Sequence, residues 1–354
     1  MYGRGATDDK GPLLALIGAL ESLLSTRGAL PVNVECVFEG EEEIGSSALL
    51  RWLTRRPELP HIDVAVIADT PARADGWPAV VYALRGSISG AVMIRALDHD
   101  VHAGVYGGGV PDAARELARL LATLHERSGA IAVPGFYAGL IPPSRRELAL
   151  MSRDGPTDAE IRADTGALAL DPRSPATYAY QRTTALPSLT ITSLRAGDQN
   201  VAPRNVVPAS ASARLDVRLA PGQDPRSCAA AIDSHLRAHA PSGLDTQIWL
   251  QTKGRPLWIE PDAPVLHAAA QALARAYKHP CALLRCGGAV PVAEVLQRSL
   301  GIPTLLLGTT PPDSGMHAPN EFLHLPSFHA AVHAVIDLIN TIPRVLTATE
   351  ARAA

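Results

Sequence analysis

VNVECVFEGEEEIGSSALLRWLTRRPELPHIDVAVIAD, residues 32–69, is the stretch that decides the fold. Val32 to Phe38 alternates apolar and polar side chains, the period of a strand with one buried face. It runs into the acidic turn Glu39-Gly40-Glu41-Glu42-Glu43. Residues 46–55 then read as a helix. Residues 64–68 form a short, wholly apolar run that stops at Asp69, the pattern of a parallel strand covered on both faces. Upstream, residues 13–24 read as a helix, with Pro12 in the first turn, where a missing N–H costs nothing. Helix and strand alternate, which implies an α/β layer.

Near Arg85 the texture changes. Residues 87–95, 189–192 and 211–219 read as strands and 111–126 as a helix, bracketed by Pro-rich loops. From Lys253 the first texture returns, with helices at 263–277 and 292–298, a strand at 304–307, a Gly/Pro-rich loop and a last helix from Pro326. The expected architecture is α/β: a discontinuous α/β domain with a mixed sheet flanked by helices, interrupted by an inserted α+β domain. The boundaries fall at 1–85, 86–252 and 253–354, and a chain of 354 residues suits two cores better than one.

A hydrophobic share of 47% with 19% charged residues is that of a folded globular chain and excludes general disorder. The net charge of −3 gives no electrostatic reason to expect nucleic acid or an anionic membrane as partner. Cys36, Cys228, Cys281 and Cys286 are scattered without a CxxC pair, which argues against a disulfide framework and suits a reducing cytoplasm. No apolar run approaches the roughly 18 residues that span a bilayer, and no export signal is visible. The glycine clusters at 107–109 and 287–288 lack the spacing of nucleotide-binding loops. A G-x-S-x-G nucleophile elbow is missing as well.

The ionisable residues of interest sit at element ends. Asp8 precedes the first helix, Glu42 and Glu43 follow the first expected strand, Asp69 ends the apolar strand, and His317 lies in the loop after 304–307. In open α/β sheets ligands bind at such ends. Converging there, these carboxylates and the imidazole would need a cation between them, and the mixture suits Zn²⁺, Mn²⁺ or Co²⁺. Taken singly, each residue also suits a helix cap, a solvated turn or a surface loop. Their joint order favours a metal centre.

The segments 2–11 (YGRGATDDKG), 39–46 (EGEEEIGS), 68–69, 100–104 (DVHAG), 205–208 (NVVP), 218–219, 285–291 and 317–321 (HAPNE) resemble, in order, the motifs of the dinuclear zinc hydrolases. That family includes aminoacylase, carnosine dipeptidase, cytosolic non-specific dipeptidase and succinyl-diaminopimelate desuccinylase. Through YGRGATDDKGP the chain is most similar to its dipeptidase subgroup. The resemblance implies hydrolysis of the amide bond of dipeptides or N-acyl amino acids by a metal-bridging water, with two Zn²⁺ per subunit. It implies that Asp8 bridges the metals, that Asp69 binds the first, and that Glu43 and His317 bind the second. Glu42 becomes the general base. His102 corresponds to a histidine that enters the partner's active site in a homodimer and stabilises the oxyanion. Asn205, Arg218, Arg285, Gly287 and Gly288 correspond to substrate-binding positions, Arg218 being suited to a carboxylate through paired hydrogen bonds.

The resemblance departs in two places. The family carries an upstream His-x-Asp motif whose histidine binds the first metal, and this sequence shows none; His61, His99, His125 and His324 lack the context to replace it. The expectation is an incomplete first site and about one tightly held ion. The alternative to an enzyme is then a truncated, impaired relative that dimerises and binds at most one metal. Second, Cys286 stands where dipeptidase relatives commonly carry a Glu suited to a free amine. A thiol does not replace that carboxylate at neutral pH, so an N-acyl or N-blocked substrate is favoured.

Overall fold

The fold is given by a computed structural model that describes residues 1–55, 62–73, 75–171, 178–197 and 204–353. Helix α1 (Lys10–Arg27) ends at Gly28, whose left-handed φ of 73° lets its N–H cap the carbonyl of Leu24. A single 3-10 turn (Glu42–Ile44) and α2 (Ser47–Arg55) lead to strands β1 (Ala65–Pro71), β2 (Ala79–Leu84) and β3 (Gly86–Arg95). Next come β4 (Val101–His102), α3 (Ala103–Tyr106), α4 (Ala113–Ala122), α5 (Arg145–Asp154), α6 (Asp158–Thr165) and α7 (Ala179–Thr184). Strands β5 (Ser188–Ala196), β6 (Val206–Val207) and β7 (Ser210–Leu219), helix α8 (Pro225–Ala238) and strand β8 (Asp245–Gly254) follow. The chain finishes with β9 (Leu257–Trp258), α9 (Pro264–Tyr277), β10 (Ala282–Cys286), α10 (Pro291–Leu300), β11 (Thr304–Thr310) and α11 (Leu325–Ala353).

One sheet is mixed, in the order β1-β11-β2-β10, with β9 also paired to β2. Strand β1 runs parallel to β11, β10 runs parallel to β2, and β11 meets β2 antiparallel. Every residue of β2 and β11 is buried, and the two-residue period of a strand sorts them to opposite faces. Val80, Tyr82, Leu305 and Leu307 pack with Ala19, Leu266 and Leu338 from α1, α9 and α11. Val81, Leu84 and Leu306 pack with Ala293 of α10. Helices therefore cover both faces, as the apolar runs require.

A second sheet is antiparallel, in the order β5-β7-β3-β8. Along β7, Ala211, Ala213, Leu215, Val217 and Leu219 point to a core shared with Leu117 and Leu120 of α4 and Ile232 and Leu236 of α8. The intervening Ser212, Arg214, Asp216 and Arg218 face away from that core, a one-sided pattern typical of antiparallel sheets.

The outer edge of β10 is closed by side chains. Asp154 Oδ2 accepts from Leu283 N at 2.9 Å, while Tyr180 Oη accepts from Arg285 N and donates to Arg285 O, both at 2.8 Å. Those groups would otherwise present an open ladder.

One expected element is not formed. Residues 32–38 contain no strand, and Val34, Val37 and Phe38 are exposed. Alternation specifies which face is buried, but a strand also needs a partner for its backbone N–H and C=O groups. Among the described residues none pairs with this segment. Glu42 and Glu43 consequently follow a loop and sit on the 3-10 turn. Among the described residues no helix is long and apolar enough to cross a membrane.

Candidate metal centre

Three segments distant in sequence meet at one point. The first is the loop before α1, where Gly5 takes a φ of 74°. In the first turn of α1 that follows, Gly11 leaves no room for a side chain, since a Cβ would meet the Ala6 carbonyl and Leu323. The loop is gripped by Glu321, only 3% exposed, which accepts from Gly5 N at 2.7 Å, Thr7 N at 3.0 Å and Asp8 N at 3.1 Å. The second segment is the 3-10 turn with Glu42 and Glu43, closed by Gly45 at φ 96°. The third is the loop after β11, where His317 adopts a left-handed φ of 58°.

His317 Nε2 lies 2.8 Å from Glu43 Oε1 and 2.9 Å from Asp8 Oδ2. The donor atoms of Asp8, Glu43 and His317 all fall within 4.8 Å of one another. Two carboxylates and an imidazole so placed fit one divalent cation, three protein ligands being the usual number for an open zinc site. Glu42 and Asp69 border the same cleft, about 210 Å³ in volume, which also touches Leu84, Cys286 and Gly288.

The electrostatics point the same way. Burial, then the charges of Glu42 and Asp8, push Asp69 up to about 7. Burial, then Asp69, pushes Asp9 up to about 8. Asp8 and Glu42 are raised by burial and next by Glu43. His317 is raised by its hydrogen bond to Glu43 and by the charges of Glu43 and Asp8. Among the described residues, buried Asp9 Oδ1 has no hydrogen-bond partner. Carboxyls pushed together toward neutrality mark a site short of positive charge.

The other expected residues are placed elsewhere. His102 and Asn205 meet at a corner where β4 pairs with β6, the Asn205 carbonyl accepting from Ala103 N at 2.8 Å. His102 Nδ1 accepts from Gly104 N at 3.0 Å. Both residues are exposed, and neither borders the cleft within this chain. Arg218 lies on β7 in register with Ser87 and Ser188 and pairs with Asp216 at 2.8 Å. Gly288 lines the cleft but Gly287 does not; a Cβ on Gly287 would come within 2.6 Å of Thr183 O. Arg285, expected at the substrate, has a side chain only 1% exposed and is held by Glu147 and by Tyr82 Oη at 3.2 Å. It belongs to the interior and not to the cleft. His61 lies outside the described residues.

Two neighbours escaped the sequence reading. Glu321 was legible only as the end of HAPNE, with no hint of its partners. Arg85 ties three segments together, donating from its backbone to Gly288 O at 3.1 Å, from Nε to Gly287 O at 3.1 Å and from Nη1 to Ser188 Oγ at 3.1 Å.

Fold and donor set define a class: a mixed-sheet α/β protein whose loops assemble a carboxylate–imidazole centre suited to a divalent cation. Peptidase family M20/M25/M40 matches residues 1–341, and the chain belongs to that family. Human Beta-Ala-His dipeptidase is 27% identical over 328 residues, which cover 91% of this chain and 64% of the human protein. The Cys-Gly metallodipeptidase dug1 of Schizosaccharomyces pombe is 27% identical over 336 residues, 93% of this chain and 70% of the yeast protein. The solved structure of the di-peptidase Dug1p from Saccharomyces cerevisiae superposes with a TM-score of 0.80 at 26% identity, covering 96% of this chain and 72% of that one. The chain thus spans 64% of the length of its human relative.

Proposed function

We propose that the chain is a metal-dependent hydrolase of amide bonds in dipeptides or N-acyl amino acids. The observation that carries this reading is the meeting of Asp8, Glu43 and His317 beside Glu42 in one cleft. Asp8, Glu43 and His317 would hold a divalent cation, with Zn²⁺ the first candidate and Mn²⁺ or Co²⁺ compatible with the same donors. Asp69, with Asp8 shared, would serve a second. A bound divalent cation supplies polarisation of the substrate carbonyl and acidification of water. Glu42, outside the ligand trio, takes the proton from the attacking water and passes it to the leaving nitrogen as the C–N bond breaks.

The remaining roles complete the proposal. Residues 86–252 would act as a lid and dimerisation unit, and the exposed His102 and Asn205 would serve the cleft of a second copy in a homodimer. Arg218 would take a substrate carboxylate. The neutral thiol of Cys286 in the cleft wall favours an N-acyl or N-blocked substrate over a free amine. Four free cysteines suit a reducing cytoplasm. The second reading, a dimerising protein with at most one metal, draws on a single observation: one imidazole-containing donor group occurs among the described residues.

One experiment separates the two. The purified chain is assayed against N-acetyl amino acids and dipeptides with Zn²⁺, Mn²⁺ or Co²⁺, and its metal content is measured after dialysis. Metal-dependent turnover supports the hydrolase; a folded chain that binds metal yet turns over no member of the panel favours the second reading.

A further inference from the structure

We infer that Glu321 is a positioning residue: its buried carboxylate fixes the backbone of the loop that carries Asp8 and so sets the spacing between Asp8 and His317. The inference rests on the metal-centre reading given above.

A buried carboxylate is costly unless its oxygens are hydrogen-bonded. The Glu321 side chain is 2% exposed, and its cationic neighbour Arg4 is 69% exposed and 3.3 Å away. Most of the compensation therefore comes from backbone N–H groups. Oε1 takes Thr7 N and Asp8 N, and Oε2 takes Gly5 N and Arg4 Nη1. Each oxygen thus serves two donors, and both are needed to span residues 4–8.

The backbone beside Glu321 closes the loop that presents His317. Phe322 N donates to Ser314 O at 3.0 Å, and Ala318 N donates to Gly315 O at 3.0 Å. Gly315, at φ 73°, brings its Cα so near the Glu321 backbone that a Cβ would lie 3.3 Å from Glu321 Cα. His317 and Asn320 are both left-handed within this turn. On its other flank, Glu321 O accepts from Gly3 N at 3.0 Å, and Leu323 N donates to Met1 O at 2.7 Å. One glutamate therefore joins the turn behind His317 to the loop behind Asp8. The 2.9 Å approach of Asp8 Oδ2 to His317 Nε2 is the result.

The test uses the full chain and Glu321→Gln, which keeps the size of the side chain but turns one acceptor pair into a donor facing donors. Zn²⁺ affinity is measured by calorimetry, and the Co²⁺-loaded protein by its visible absorption. The expected result is Zn²⁺ binding weaker by the roughly 10–100-fold that follows loss of a group orienting a ligand, with an altered Co²⁺ spectrum. A role confined to general stability would leave both unchanged in the folded protein. Glu321→Asp, which keeps the charge and shortens the reach, gives a second measurement if the glutamine variant does not fold; an intermediate loss is expected. His317→Ala is the control. Folded glutamine and aspartate variants with wild-type affinity and spectrum overturn the inference alone. A wild-type chain that binds Zn²⁺ no better than His317→Ala overturns the metal reading beneath it.

Discussion

Separating Arg285 from Glu147 is expected to cost far more stability than separating any surface ion pair. Glu147 accepts from Ser144 N at 2.9 Å and Trp258 Nε1 at 3.0 Å as well as from Arg285 Nη2. Arg285 meets Tyr82 Oη, lies with its guanidinium carbon 5.5 Å from the Tyr82 ring centroid, and leaves Nη1 without a hydrogen-bond partner among the described residues. Arg285→Met strands a buried carboxylate on two neutral donors, and Glu147→Gln strands a buried cation. Each should cost about 3–5 kcal/mol, against about 0–1 for an exposed pair. The double variant Arg285→Met/Glu147→Gln removes both charges and should cost less than the sum. Urea unfolding followed by circular dichroism, with the m-value unchanged, measures all three. The pH dependence has a definite sign. Burial alone would raise Glu147, but Ser144 N–H, Trp258 and Arg285 outweigh it and hold the carboxyl below its usual value of 4.5. Its stabilising contribution is therefore complete above about 4.5 and fades as pH falls through the lower folded value. A loss under about 1 kcal/mol for either single variant would refute the reasoning, because it would mean that the pair is solvated.

Glu42→Gln should leave Zn²⁺ affinity within a few-fold and lower turnover by roughly 10²–10⁴-fold; loss of metal instead would show that Glu42 is a ligand. Metal-free protein should lose stability between about pH 4 and 8, by a few kcal/mol. The sign follows from Asp69 and Asp9, whose folded values of about 7 and about 8 exceed the ordinary 3.8, so the folded state keeps protons that the unfolded state has released. Urea midpoints in EDTA at pH 5, 6, 7 and 8 should therefore fall; a rising series contradicts this account of the site. Light scattering at micromolar concentration should give a dimer, and a folded monomer would remove the role proposed for His102.

What could be read from the residues depended on how local each cause is. Strand β7 is specified by its own alternation, and helix α1 and the run of β11 by their apolar composition. Residues 32–38 have an equally clear alternation, yet a strand is decided by its partner and not by its own side chains. Strand β10, ALLRC, is too short for its period to speak, and β8, DTQIWLQTKG, carries mostly polar side chains. Asp8, Glu43 and His317 were found through motif order and meet in space. Glu321 was missed because its acceptors serve backbone N–H groups more than 310 positions away, which no side-chain pattern records. Arg285 was read from its motif, whereas its counter-charge lies 138 residues upstream.

The closed edge of β10 bears on how the two sheets can move against each other. Helices α5 and α7 are bonded to β10 through Glu147, Asp154 and Tyr180, so this stretch must travel with the mixed sheet. The chain on either side of it, α4 and β5, packs in the core of the antiparallel sheet. A swing of that sheet therefore has to bend the backbone near Gly86, Pro142-Pro143, Ser188 and Gly254, and the fixed φ of the two prolines makes their crossing stiff. Arg85, next to Gly86, ties two of these crossings together through its bond to Ser188, while its bond to Gly287 anchors it to the loop after β10. Opening the molecule therefore strains the Arg85–Ser188 bond together with the Arg255–Asp224 ion pair, which joins the stretch after β8 to the start of α8.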